Sequence, residues 1–147
     1  MQGGIRKLRI GSGGEGEKLP KDLWETKAIS PYFNDGVVHK GFLYGFNYDG
    51  FLTCVDLEDG KKKWAARGYN NGQVLLLADQ DRLLVLTESG DVALLEATPE
   101  RRKELCRFSA IEGKTWNHPV IAHGKLFVRN GEEAACYQLT EESPAEK

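Results

Sequence analysis

Leu52-Thr53-Cys54-Val55-Asp56-Leu57, Val92-Ala93-Leu94-Leu95-Glu96-Ala97 and Ala134-Ala135-Cys136-Tyr137-Gln138-Leu139 are three copies of one strand-like segment. From Asp56 to Glu96 to Gln138 they recur at spacings of 40 and 42 residues. A turn precedes each copy: Tyr48-Asp49-Gly50, Glu88-Ser89-Gly90 and Arg129-Asn130-Gly131. Before each turn stands another apolar run, at 41–45, 81–85 and 124–128. Short runs with period-two alternation read as strands, and Gly accepts the positive φ of the hairpin turns between them. Helical periodicity is absent throughout. A unit of about forty residues carrying about four strands is the signature of a propeller blade. The predicted fold is all-β: a partial β-propeller of about three four-stranded antiparallel blades, plus the outer strands of a preceding blade.

The spacing sets the expected organisation. Residues 1–29 hold two outer strands of a preceding blade, around Ile5 to Ile10 and Leu23 to Ile29, separated by a flexible loop from Gly11 to Lys18. Blades occupy 30–67 and 68–109, an incomplete blade 110–139, and a polar tail 140–147. Closed propellers use about four to eight blades, and an open arc leaves sheet faces and edges uncovered. The expectation is that remaining blades of a longer chain, or self-association, complete the ring.

Composition removes several function classes. With 20 Lys and Arg against 22 Asp and Glu, the net charge of -2 gives no basic surface for nucleic acid. The clusters Lys61-Lys62-Lys63 and Arg101-Arg102-Lys103 fall where turns are expected and read as solvated. No apolar stretch approaches the roughly 20 residues of a membrane span, and Met1 to Lys7 lacks the apolar core of a secretory signal. Cys54, Cys106 and Cys136 are widely separated and form no close pair, so zinc is not expected. Cys54 and Cys136 share a repeat position, which argues for small apolar packing. Cys106 falls on an outer strand with no evident partner.

Asp56-Leu57-Glu58-Asp59-Gly60-Lys61-Lys62-Lys63-Trp64 resembles the D-x-x-T-G-K-x-x-W element of the pyrroloquinoline-quinone-like repeat family, with Asp59 at the usual Thr. In that family the tryptophan docks one blade on the next, while the Asp and Gly shape the turn before it. The resemblance thus implies blade-docking roles for Asp56, Gly60 and Trp64, with Trp24 serving the preceding partial blade. The other units keep only the strand pattern, with Glu96 and Gln138 at the Asp position and Leu105 expected in place of the tryptophan. The stretches Ser30 to Asp35 and Gly113 to Pro119 are similar to bacterial envelope propellers of the BamB-like, outer-membrane-assembly type. This implies a periplasmic or cell-envelope location and protein partners, by resemblance only. The Gly-His and Trp-Asp signatures of WD repeats are absent.

Candidate site residues recur before the first strand of each unit: Phe33-Asn34-Asp35-Gly36, Tyr69-Asn70-Asn71-Gly72 and Trp116-Asn117-His118-Pro119. In a propeller this entry to the innermost strand borders the mouth of the central channel, so Phe33, Asn34, Asp35, Tyr69, Asn70, Asn71, Trp116, Asn117 and His118 are the channel-mouth candidates. One reading is a polar ligand or peptide bound across the mouth. The plainer one, which carries more weight, is a crossing turn built from turn-forming residues. His118 is the best single candidate for acid–base chemistry, though a hydrogen-bonded turn role beside Asn117 and Pro119 carries more weight. His39 and His123 read as solvated. No catalytic or metal set is recognised, and no cofactor is expected. Family members that oxidise substrates use a vicinal cysteine pair and Ca²⁺ with pyrroloquinoline quinone, and no Cys-Cys occurs here. The leading expectation is a non-catalytic scaffold for protein interaction or assembly. The alternative is a fragment of a quinone- or sugar-binding propeller oxidoreductase whose catalytic residues lie in other blades, and only that reading calls for the quinone and calcium.

Overall fold

The computed structural model describes residues 3–11 and 20–139. These form thirteen strands in four antiparallel sheets, with one short 3₁₀ turn at Ala78–Gln80. Strands β1 (Ile5–Arg9) and β2 (Lys21–Thr26) pair first. The second sheet runs β3 (Val37–His39), β4 (Phe42–Phe46), β5 (Leu52–Asp56), β6 (Lys62–Ala66). The third runs β7 (Gln73–Leu77), β8 (Arg82–Leu86), β9 (Asp91–Glu96), β10 (Glu104–Ser109). The fourth runs β11 (Val120–Ala122), β12 (Lys125–Arg129), β13 (Ala134–Gln138). Each strand pairs with its neighbour in sequence, so every sheet is a meander, and the chain is the predicted all-β partial propeller. The loop expected from Gly11 to Lys18, apart from Gly11 itself, and the tail expected at 140–147 lie outside the described residues.

Side-chain alternation stacks the sheets. Tyr44, Phe46, Leu52, Cys54 and Trp64 of the second sheet bury against Val74, Leu83, Val85, Ala93 and Leu95 of the third. Leu84, Leu86 and Val92, on the other face of the third sheet, bury against Leu126 and Val128 of the fourth. Covered on both sides, β8 is a continuous apolar run with Leu83 to Leu86 all buried. In β13 only one face is covered, and exposed residues alternate with half-buried ones. The first strands β3 and β7 approach one another, marking the inner side of the arc.

Tryptophans tie successive sheets together. The Trp24 indole Nε1–H donates to the Leu57 carbonyl at 3.1 Å, and that of Trp64 to the Thr98 carbonyl at 2.9 Å. Each crosses to the β5–β6 or β9–β10 turn of the next sheet. Asp56 shapes the first of these turns by accepting the Glu58 N–H at 2.8 Å, and the Gly60 N–H closes it on the Asp56 carbonyl at 2.9 Å. Gly60 has φ 74°, and a Cβ there would stand 2.9 Å from the Trp24 ring. Only glycine gives both the left-handed backbone and the room for the indole.

Three expectations are corrected. A bulge between Glu104 and Cys106 shifts the β9–β10 register, so Cys106, not Leu105, pairs with Leu94. Trp64 pairs with Cys54 in the same way, and Cys106 therefore holds the docking-tryptophan position. His39 is buried, its Nε2 lying 2.5 Å from Asp81 Oδ1, because the β3–β4 turn packs against the β7–β8 turn; His123 is exposed. Cys54 is buried but Cys136 is exposed, since no further sheet covers its face of β13 among the described residues.

Candidate functional site

Strand pairing fixes which entry residues are equivalent. Val37 pairs with Tyr44, Leu75 with Leu84 and Val120 with Phe127, and these partners are repeat equivalents. Counting back, Phe33-Asn34-Asp35 corresponds to Asn71-Gly72-Gln73 and to Trp116-Asn117-His118. The second unit is thus displaced by two residues from the alignment suggested by its Asn-Asn-Gly. Its 3₁₀ turn at Ala78–Gln80, where the other units have only Lys40 or His123, absorbs the remaining length difference.

The three entries meet. Rings of Phe33 and Trp116, from the first and third units, lie 5.1 Å apart at their centroids. His118 Nε2 lies 3.3 Å from Asp35 Oδ2. Buried Asn34 donates its side-chain N–H to the Gly72 carbonyl, and buried Gln73 donates to the Trp116 carbonyl at 2.8 Å. These contacts join all three units at their strand entries. In these strand entries the side-chain carbonyl oxygens of Asn34, Asn71 and Gln73 are buried with no hydrogen-bond partner among the described residues. Buried acceptors seldom stay unpaired, so this concentration sets the cluster apart from an ordinary turn.

The rim is aromatic and charged. Trp116 is 47% exposed. Its Nε1–H donates to Glu88 at 2.8 Å, and the Lys114 ammonium stands 4.2 Å above its ring. Tyr32 extends the surface, in edge contact with Phe33 and Tyr48 at 5.4 Å each. Asn117 is half-buried beside Trp116.

One of the nine candidates is buried away from the cluster, and another sits at its rim. Tyr69 is fully buried between the second and third sheets, its hydroxyl donating to Glu104 at 2.6 Å beneath the Arg107 guanidinium. Burial pushes its phenol up to about 12. Asn70, with φ 49°, packs its backbone against Gly50 and shares a surface hollow with Glu88 and Lys114 at the rim. Gln73, Glu88 and Lys114 were missed. A glutamine opening an apolar strand, Gln73-Val74-Leu75-Leu76-Leu77, was the available signal for the first.

Asp35 is the one carboxylate among the nine predicted residues, and it faces His118. Among the described residues no three His, Cys, Asp or Glu side chains are grouped to share a metal. Among the described residues no helix is long and apolar enough to cross a membrane.

In comparisons with known proteins, no family model and no curated protein sequence matches the chain. A solved structure does: BamB from Moraxella catarrhalis superposes with a TM-score of 0.65, over 82% of this chain at 13% identity. The chain has the propeller fold of BamB. It spans 37% of that structure's length, and at this identity the likeness is one of fold.

Proposed function

We propose that the chain is a non-catalytic propeller scaffold for protein interaction or assembly in the bacterial cell envelope, presenting the strand-entry cluster to a protein partner. The observation that carries this reading is the exposed Phe33–Trp116 pair, built from two different units and seated on buried amides. Aromatics on a rigid base, rimmed by charges such as Glu88, Lys114 and Asp35, have the anatomy of an interface centre. The envelope location rests on the resemblance to BamB-like propellers, and the reading requires no cofactor. On this reading the face of the fourth sheet left uncovered among the described residues, with Val120 and Phe127 exposed, would take a further blade from a longer chain or a second copy.

A photo-crosslinking amino acid at Phe33 or Trp116, introduced in bacterial cells, tests the proposal against the same group at Lys62 on the outer strand. A discrete envelope-protein adduct from the first two positions but not the third is expected. Equal labelling from all three would remove the cluster from consideration. Addition of pyrroloquinoline quinone with Ca²⁺ is expected to leave the melting temperature unchanged. A rise of several degrees, with an altered quinone spectrum, would favour the oxidoreductase reading instead.

A further inference from the structure

The junction between the third and fourth sheets holds an apolar cleft of about 590 Å³, separate from the strand-entry cluster and opening beside β10. Its walls stand at the same repeat positions as the closed junction one blade earlier. There the space is filled by Trp64 against Tyr44, with His39 and Asp81 joined across the lower edge. Here the equivalents, placed by strand pairing, are Cys106, Leu84, Leu77 and Gly124, all of which line the cleft. Every one of these four replacements is smaller or lacks the polar link. The cleft therefore includes the indole position that the two preceding junctions fill with Trp24 and Trp64, and that this one, among the described residues, leaves open.

We infer that this cleft binds an aromatic side chain, foremost tryptophan, presented by an extended segment of a protein partner. Three observations commit it to that occupant. The floor continues the buried blade–blade interface through Leu84, Val92 and Leu126, so an entering ring meets a rigid, already packed apolar wall. Phe108, exposed at the rim, sits edge-on to Tyr137 at 5.2 Å and offers an aromatic wall to a planar guest. Leu139, also in the lining, occupies the repeat position of Leu57, whose carbonyl accepts the Trp24 indole N–H. An indole entering in trans thus finds apolar walls, an aromatic edge and an acceptor of the kind its intramolecular counterpart uses.

The test uses the full chain with Cys136→Ser, so that Cys106 is the remaining exposed thiol, and two probes: N-acetyl-tryptophanamide and the peptide Ac-Ser-Thr-Trp-Thr-Ser-amide. Saturable binding is expected, with at least fivefold slower maleimide labelling of Cys106 at saturation and methyl shifts at Leu84 and Leu126. The Trp→Ala peptide is expected to do neither. Cys106→Trp supplies the ring in cis; it is expected to raise the melting temperature and to abolish binding at least tenfold. Should that variant fail to fold, the folded protein alkylated at Cys106 with N-phenylmaleimide plugs the same space and is expected to lose binding likewise. Absence of labelling protection at millimolar probe would overturn the inference, as would undiminished binding after the cleft is plugged. Variants at Phe33 or Trp116 are expected to leave this binding unchanged, which separates its failure from that of the strand-entry reading.

Discussion

Trp64 makes two contributions that can be separated by substitution. Its ring packs on Tyr44 with centroids 6.0 Å apart, and its Nε1–H reaches Thr98 on the next sheet. Trp64→Phe retains most of the packing and loses the hydrogen bond, for about 1 kcal/mol; Trp64→Ala loses both, for about 3–5 kcal/mol. Urea denaturation of the two variants checks this order. Glu104 gives the acid response its shape. Its carboxylate accepts from Arg107 at 3.0 Å and from the Tyr69 hydroxyl at 2.6 Å, and the Arg107 bonds, foremost, hold it below its ordinary value of 4.5. A carboxyl depressed in the folded state stabilises fully above its unfolded pKa, and that stability is lost as pH falls through the folded one. Glu104→Gln is therefore expected to cost about 2 kcal/mol at pH 7 and progressively less below pH 4. Paired denaturation curves at pH 7 and pH 3 would show the gap closing. An equal deficit at both would mean that the charge plays no part.

Among the elements, β4, β5, β8 and β9 were legible because the hairpins joining β4 to β5 and β8 to β9 keep their glycine turns between strand-length apolar runs. The ends of the units were less so. Tyr69-Asn70-Asn71-Gly72 imitates Phe33-Asn34-Asp35-Gly36 as a string, yet hydrogen-bonded register aligns Asn71-Gly72-Gln73 with Phe33-Asn34-Asp35. An aromatic followed by Asn satisfies a turn in either place, so residue type could not choose, and the inserted 3₁₀ turn hid the offset. The β9–β10 turn is similar: at 97–103 it runs two residues longer than its counterpart at 57–61, and with the same bulge following in both sheets it carries Cys106 into the tryptophan position. Convergence of the strand entries was readable from the fold, but the Phe33–Trp116 contact and the role of Gln73 needed coordinates. Cysteine reactivity reports these strand faces directly. Cys54 lies buried on β5, where desolvation pushes its thiol up to about 12, whereas Cys106 and Cys136 are exposed. Two thiols are expected to react with a chromogenic disulfide at pH 8 in the native protein and a third only in denaturant. Rapid reaction of all three would place β5 at a surface.

For the whole molecule, stacking the sheets in a row makes stability depend on neighbours, as in other repeat architectures. Among the described residues the third sheet has a packed sheet on both sides and the fourth on one, while β1–β2 rests on the second sheet through Trp24 and Lys7, both donating to the Leu57 carbonyl. Local opening should follow that order, because separating a sheet covered on two faces exposes roughly twice the apolar area of one covered on one face. Native-state hydrogen exchange is expected to be slowest in β8 and β9, faster in β12 and fastest in β1. Equivalent positions sharpen the comparison: Tyr44 is fully buried against the third sheet, whereas Phe127, at the same repeat position, is 42% exposed on the uncovered face. Phe127→Lys should change the melting temperature by no more than a few degrees and leave β8 protection intact, since its ammonium reaches water directly. Tyr44→Lys buries a charge without a partner and should leave the chain largely unfolded. If Phe127→Lys were as damaging as Tyr44→Lys, the fourth sheet's open face would have to be covered in solution, and sedimentation of the parent protein would then show the assembly that covers it.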